Sequence, residues 1–354
     1  MHTCVRLQEF YISARNSDGC GPLGSWIEFP EMRVLHFDFG QGLPLNRQLE
    51  FIQRCPKLKS LNWTTVYRLP IEDVSLVLST YCRQLRELSF VLPILDSDIA
   101  LILNSCCEIT SFHDIDANFG RLAFQSLEQH FSSLTHLNVG TRSSMTSAMV
   151  QGIMSSCPSL LSLTAPFLDT LDILGNIEAL SGNDGKAEIT EAICSRGWVC
   201  LSLRHLEVRI CGLGEEGLIE RQRLILQQLA KLEKLEVLSI NSIDKLGNWK
   251  NDGLDLRLKA GLDILASLRR LEKLSFMGVS QQMNEQDIQW ILQAWPRLRS
   301  IQGNTHFARS RRHQLEILLE KHHIKLGKLT VLDIDDNDDD DDEDDLFFWD
   351  IVQA

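Results

Sequence analysis

The phrase Cys-Pro-x-Leu-x-x-Leu occurs twice in one frame, as CPKLKSLNW from Cys55 and as CPSLLSLTA from Cys157. Looser copies of it run through the chain. Their first apolar residues are Leu7, Met32, Leu58, Leu85, Ile109, Leu134, Leu160, Leu203, Leu235, Leu271, Leu298 and Leu329. The first six steps between them are 25, 26, 27, 24, 25 and 26 residues, and the later ones 43, 32, 36, 27 and 31. A chain that repeats itself at this period does not close around one compact core, because each unit is a single supersecondary element whose apolar face is covered only by the next unit. The longer steps read as insertions into that array.

Three residues before each first position stands Cys4, Phe29, Cys55, Cys82, Cys106, Phe131, Cys157, Cys200, Leu232, Leu268, Trp295 or Leu326. The cysteine is therefore one member of a buried position that accepts other apolar residues, and a thiol chemistry is not expected of it. Upstream of it the apolar spacing is helical. Ile99, Ile102, Leu103 and Cys106 stand at i, i+3, i+4 and i+7, as do Val150, Ile153, Met154 and Cys157, and Ile288, Ile291, Leu292 and Trp295. Asp96-Ser97, Thr146-Ser147 and Asn284 stand where helix N-caps are expected, and Pro56, Pro158 and Pro296 where each helix stops.

A period in the twenties with L-x-x-L-x-L is the signature of leucine-rich repeats. The expected fold is an α/β leucine-rich-repeat solenoid, a horseshoe with parallel strands on the concave face and helices on the convex face. Curvature follows from spacing, since parallel strands stack at about 4.8 Å while helices need about 10 Å. Alternation along each strand sends the residues between the buried ones to the concave face. Those pairs read Glu9/Tyr11, His36/Asp38, Ser60/Asn62, Glu87/Ser89, Ser111/His113, His136/Asn138, Ser162/Thr164, His205/Glu207, Ser239/Asn241, Lys273/Ser275 and Ser300/Gln302. His36, Asn62, Glu87, His113, His136, Asn138, Thr164, His205, Glu207 and Asn241 are the candidate contacts to a protein target.

The chain has 354 residues, 44% of them hydrophobic, and no apolar run near the length of a membrane span or a signal peptide core. The expected location is the cytoplasm, the nucleus or both, and the expected state a monomer. Net charge is −13, but residues 333–345, DIDDNDDDDDEDD, hold eleven carboxylates, so the rest of the chain carries −2. A body so nearly neutral lacks the basic stripe that nucleic-acid binding needs. His113-Asp114, His136 and His205 sit in different repeats with none of the spacings of a zinc or acid–base site. SGNDGK, from Ser181, lacks the length and the Ser/Thr of a phosphate loop. No catalytic residue, cofactor or metal is expected.

The solenoid is expected to span residues 1–334, with an insertion near 164–199 that is either a longer helix and loop or a flap over the concave face. Residues 335–345 read as an acidic disordered run, and 346–354, LFFWDIVQA, as an apolar end that folds back as a cap or docks a partner. CVRLQEFYI, from Cys4, is already a strand phrase, so the chain opens inside a repeat, as a truncated or derived form of a longer relative does.

The cysteine-bearing repeats CPKLKSLNW and CPSLLSLTA, with helices such as LDSDIALILNSC, resemble the leucine-rich repeats of F-box proteins. RGWVCLSLRHLEV, LDLRLKAGLDILASLRRLEKLSF and NEQDIQWILQAWPRLRSIQG look like the F-box-type repeat proteins of filamentous fungi. The resemblance implies a substrate receptor: the horseshoe holds a target protein while an F-box docks the adaptor of an SCF-type ubiquitin ligase. No L-P-x-E-type box precedes Met32, so adaptor docking requires an F-box upstream. Two other classes join such repeats to an acidic tail. Ran GTPase-activating proteins carry a ladder of Asn two residues past the strand, where this chain has Val66, Pro93, Ala117, Arg142 and Leu168. Acidic leucine-rich nuclear phosphoproteins bind histones and have fewer repeats on a longer acidic tail.

Overall fold

The computed structural model describes residues 2–3, 6–14, 27–39, 45–65, 70–91, 94–114, 118–140, 143–174, 197–212, 218–240, 253–278 and 281–327. Twelve strands form one sheet: β2 (Glu9–Ala14), β4 (Val34–Phe39), β5 (Ser60–Thr65), β6 (Glu87–Val91), β7 (Ser111–Asp114), β8 (His136–Val139), β9 (Ser162–Asp169), β10 (His205–Cys211), β11 (Val237–Ser239), β12 (Lys273–Ser275), β13 (Ser300–Gln302) and β14 (Lys325–Gly327). They pair in chain order and in parallel throughout. β1 (His2–Thr3) and β3 (Ile27–Glu28) make a separate parallel pair. The crossovers carry α1 (Leu45–Gln53), α2 (Ile71–Tyr81), α3 (Asp96–Ser105), α4 (Arg121–Leu127), α5 (Ser147–Ser156), α6 (Thr170–Leu174), α7 (Leu218–Ala230), α8 (Glu285–Ala294) and α9 (Arg309–Lys321), with two 3-10 turns at 258–260 and 262–267. The chain is an α/β leucine-rich-repeat solenoid, curved as a horseshoe with the sheet inside.

The Cys-Pro-x-Leu phrase is a turn. The Leu58 amide donates to the Cys55 carbonyl at 3.1 Å and the Leu160 amide to that of Cys157 at 3.3 Å. Pro56 and Pro158 hold the second place of these turns, where a ring fixes φ near −65° and no N–H is missed. Pro296 does the same in the turn from Leu298 to Trp295, and the bond recurs without proline from Leu85 to Cys82, Leu203 to Cys200, Leu235 to Leu232 and Leu271 to Leu268. It lies in the short run that joins a helix end to a strand start, so the three-residue spacing between anchor and leucine is fixed by turn geometry. Cys55, Cys82, Cys106, Cys157 and Cys200 are all buried beneath it. Burial pushes each of their thiols up to about 12, so they remain protonated apolar filler.

Leu61, Leu88, Phe112, Leu137, Leu163, Leu206, Leu238, Leu274 and Ile301 form one continuous buried row across the sheet. Two residues further along, Phe37, Trp63 and Phe90 stand side by side in register, with ring centroids 6.0 and 6.5 Å apart. Trp63 Nε1 donates to Gln48 Oε1 at 2.6 Å, which satisfies the one polar group of that stack. Gly303 ends β13 at φ 135°, and a Cβ there would lie 2.5 Å from the Phe276 ring. Only glycine fits that turn.

The register corrects three expectations. In two repeats the inward pair lies two residues earlier than expected: Val34 and His36 take the places of His36 and Asp38, and Val237 and Ser239 those of Ser239 and Asn241. Both early positions hold valine, which disguises them as core in a pattern read for polar residues. Leu326, expected as the turn anchor before Leu329, stands instead inside a strand, β14 at Lys325–Gly327, which pairs with β13; the strand expected at Leu329 to Ile334 lies outside the described residues. The third correction is Asp96. The N-cap of α3 is Leu95, and the Asp96 carboxylate instead accepts from the Gly120, Leu122 and Ala123 amides of the next repeat at 2.8, 3.0 and 2.9 Å. Thr146 and Asn284 do cap their own helices, and Asn284 forms a full capping box with Asp287.

Candidate protein-binding face

Two rows of side chains cross the concave face. The first reads Glu9, Val34, Ser60, Glu87, Ser111, His136, Ser162, His205, Val237, Lys273, Ser300 and Lys325. The second, two residues on, reads Tyr11, His36, Asn62, Ser89, His113, Asn138, Thr164, Glu207, Ser239, Ser275 and Gln302. Glu87, His136, His205 and Glu207 are exposed, and His36, Asn62, His113, Asn138 and Thr164 half-buried. Nine of the ten candidate residues thus stand on one face; Asn241 lies outside the described residues. Ser239 and Ser275 are buried, so the open part of the second row ends at Glu207 and resumes at Gln302.

Adjacent strands bring side chains of the two rows into each other's field. Burial holds the His113 imidazole below its ordinary range, His136 pushes it the same way, and Glu87 opposes. His205 Nε2 stands 3.9 Å from Glu236 Oε2, and Arg204 approaches the other carboxylate oxygen, Oε1, at 3.7 Å. Tyr11, 67% exposed, stacks on His36 with centroids 4.2 Å apart. The face is widest at β9 and β10. A bulge there, where Ala165 and Pro166 stand against the single Val208, sets Arg209 opposite Phe167, with the guanidinium 5.6 Å from the ring centroid. Sequence reasoning did not single out Phe167, Arg209 or Glu236; the length of the polar and aromatic strand phrase SLTAPFLD was the available signal.

His113 and Asp114 are sequence neighbours that point to opposite faces: Asp114 is buried in the row that continues Phe37, Trp63 and Phe90. Thr135 Oγ1 lies 2.9 Å from His136 Nδ1 and 2.8 Å from the Thr110 carbonyl. Its proton goes to the carbonyl, so His136 Nδ1 donates to it and the pair is not an activated hydroxyl. Among the described residues, no group of three or more His, Cys, Asp and Glu is placed to hold a metal ion. No helix among them is long and apolar enough to cross a membrane. What this face offers is hydrogen bonding, mixed charge and aromatic surface across many strands.

No protein-family model matches the chain, and no curated protein matches its sequence. Among solved structures, it is similar to one described as the crystal structure of the Rad7 and Elc1 complex in yeast, at 13% identity over 85% of this chain and 78% of that one, with a TM-score of 0.48. The fold assignment rests on this chain's own parallel sheet and repeat register.

Proposed function

We propose that the chain is a non-catalytic protein-recognition module that holds a target protein on the concave face, centred on β8, β9 and β10. The observation that carries this is the uninterrupted strip of exposed and half-buried polar residues from Asn62 to Glu207, with Phe167 and Arg209 at its widest point. Aromatic and arginine side chains among hydrogen-bonding neighbours are the composition of interface hot spots. A solenoid face reads shape over many repeats, which suits a protein rather than a small molecule. The likeness of the cysteine-bearing repeats to those of F-box proteins supports a finer reading, in which this is the receptor part of an SCF-type ubiquitin ligase. That role requires an F-box upstream of the residues described.

The test is a set of arginine substitutions on the open face. Asn138→Arg and Thr164→Arg are expected to release a protein that the wild-type chain retains from extract, while the melting curve moves by no more than about 0.5 kcal/mol in stability. Leu137→Asp and Leu163→Asp, one residue away and buried, are expected to unfold the neighbouring repeats. A retained protein that survives both arginine substitutions overturns the concave-face reading. For the ligase reading, the retained protein must gain half-life when this chain is depleted; an unchanged half-life overturns that part alone.

A further inference from the structure

The last described helix differs from the others in charge. Its first turn holds Arg309, Arg311 and Arg312 and no carboxylate, the reverse of what a helix N-terminus favours. Among the described residues only Arg312 of the three pairs with a carboxylate, Glu316 at 4.0 Å. Between this helix and the segment 282–285 runs a cleft of about 630 Å³, in the size range that takes the anchor side chains of a peptide. Met283, Leu315 and Leu318 give it an apolar lining, and Ile317, Arg311 and Lys321 flank it. Ile317 is 53% exposed, and Phe307, stacked on a fourth wall residue, His306, is 63% exposed.

The chain itself contains a segment with the complementary chemistry. Gly327, at the end of β14, pairs with Gln302, and from Gln302 the chain reaches Arg309 in seven residues. The polypeptide beyond Gly327 therefore leaves from the end of the sheet that leads into the arginine turn. Residues 328–345 follow, eighteen residues with eleven carboxylates, and then Leu346-Phe347-Phe348-Trp349. Eighteen residues reach up to about 60 Å, whereas the 13-residue helix α9 is about 20 Å long.

We propose that residues 346–354 of the same chain occupy this cleft, with Phe347, Phe348 and Trp349 against Met283, Leu315 and Ile317 and the acidic run beside Arg309, Arg311 and Lys321. Tethering favours this occupant over a second copy or another protein. Attachment to the same chain holds the segment at an effective concentration on the order of 1 mM, so a free-peptide dissociation constant near 0.1 mM gives about tenfold excess of the docked form.

Hydrogen exchange of residues 309–321 tests the assignment in three proteins: the full chain, a chain ending at Asp345, and the full chain with Phe348→Ser and Trp349→Ser. Exchange is expected to be about tenfold faster in the second and third. Adding the nonapeptide LFFWDIVQA to the chain ending at Asp345 is expected to restore protection, and Ile317→Asp, at an exposed position, to abolish that rescue. Equal exchange in all three proteins overturns the proposal. Protection that rises with protein concentration, together with a dimer in light scattering, also overturns it and assigns the cleft to a second copy.

Discussion

At the scale of single residues, the buried groups hold the most informative chemistry. His130 is 1% exposed; its Nδ1 accepts from the Ile109 amide at 3.2 Å, and its Nε2 donates to the Leu103 carbonyl at 3.1 Å. That pair of bonds ties it to the preceding repeat and requires a neutral ring of one tautomer. Burial lowers its pKa, as it does that of His113. The folded state therefore binds fewer protons than the unfolded chain. The stability these groups contribute is complete above the unfolded value of about 6.5 and is lost as pH falls through the folded values below it. The melting temperature is expected to be lower at pH 5.5 than at pH 7.5. His130→Gln should cost about 1–3 kcal/mol at neutral pH and shrink that difference. Differential thiol labelling gives a second check: Cys107, exposed, should react in the native protein, while Cys55, Cys82, Cys106, Cys157 and Cys200 react only after unfolding. The cysteines were legible in the sequence because each stands in a position that Phe, Leu or Trp also fills. His130 was not, because its partners lie in another repeat and nothing in its own neighbourhood marks them.

At the scale of elements, what is local was legible and what crosses between repeats was less so. The strands and the helix faces follow from spacing alone, since apolar alternation and the i, i+3, i+4, i+7 stripe are properties of one unit. Asp96 shows the limit. It stands at the start of its own helix, where a cap is expected, yet its carboxylate serves three amides of the next one, and Gly120 leaves room for it: a Cβ there would lie 2.8 Å from Asp96 Oδ2. Asp96→Ala is expected to cost about 1–2 kcal/mol, and hydrogen exchange should place the loss in Arg121–Leu127 rather than in Asp96–Ser105. If the α3 amides exchange faster instead, the carboxylate caps its own helix. The valines at Val34 and Val237 misled the register for a related reason. An inward residue need not be polar when one apolar side chain stands alone on a wet face.

At the scale of the molecule, the sheet is an array of pairings in series, and the pairings differ in length. β2 to β4 and β4 to β5 join over six residue pairs each, whereas every junction from β10 to β14 joins over three. The horseshoe and its inner wall were legible because they sum identical local rules. Where that wall is widest was not legible, because the bulge at β9 and β10 depends on how two strands of unequal repeats pair. The unequal junctions make the molecule a graded spring. Links in series carry the same tension, so a pull on its two ends opens the three-pair junctions first, those from β10 to β14 and the one between β8 and β9, while the six-pair junctions beside the aromatic stack of Phe37, Trp63 and Phe90 stay closed.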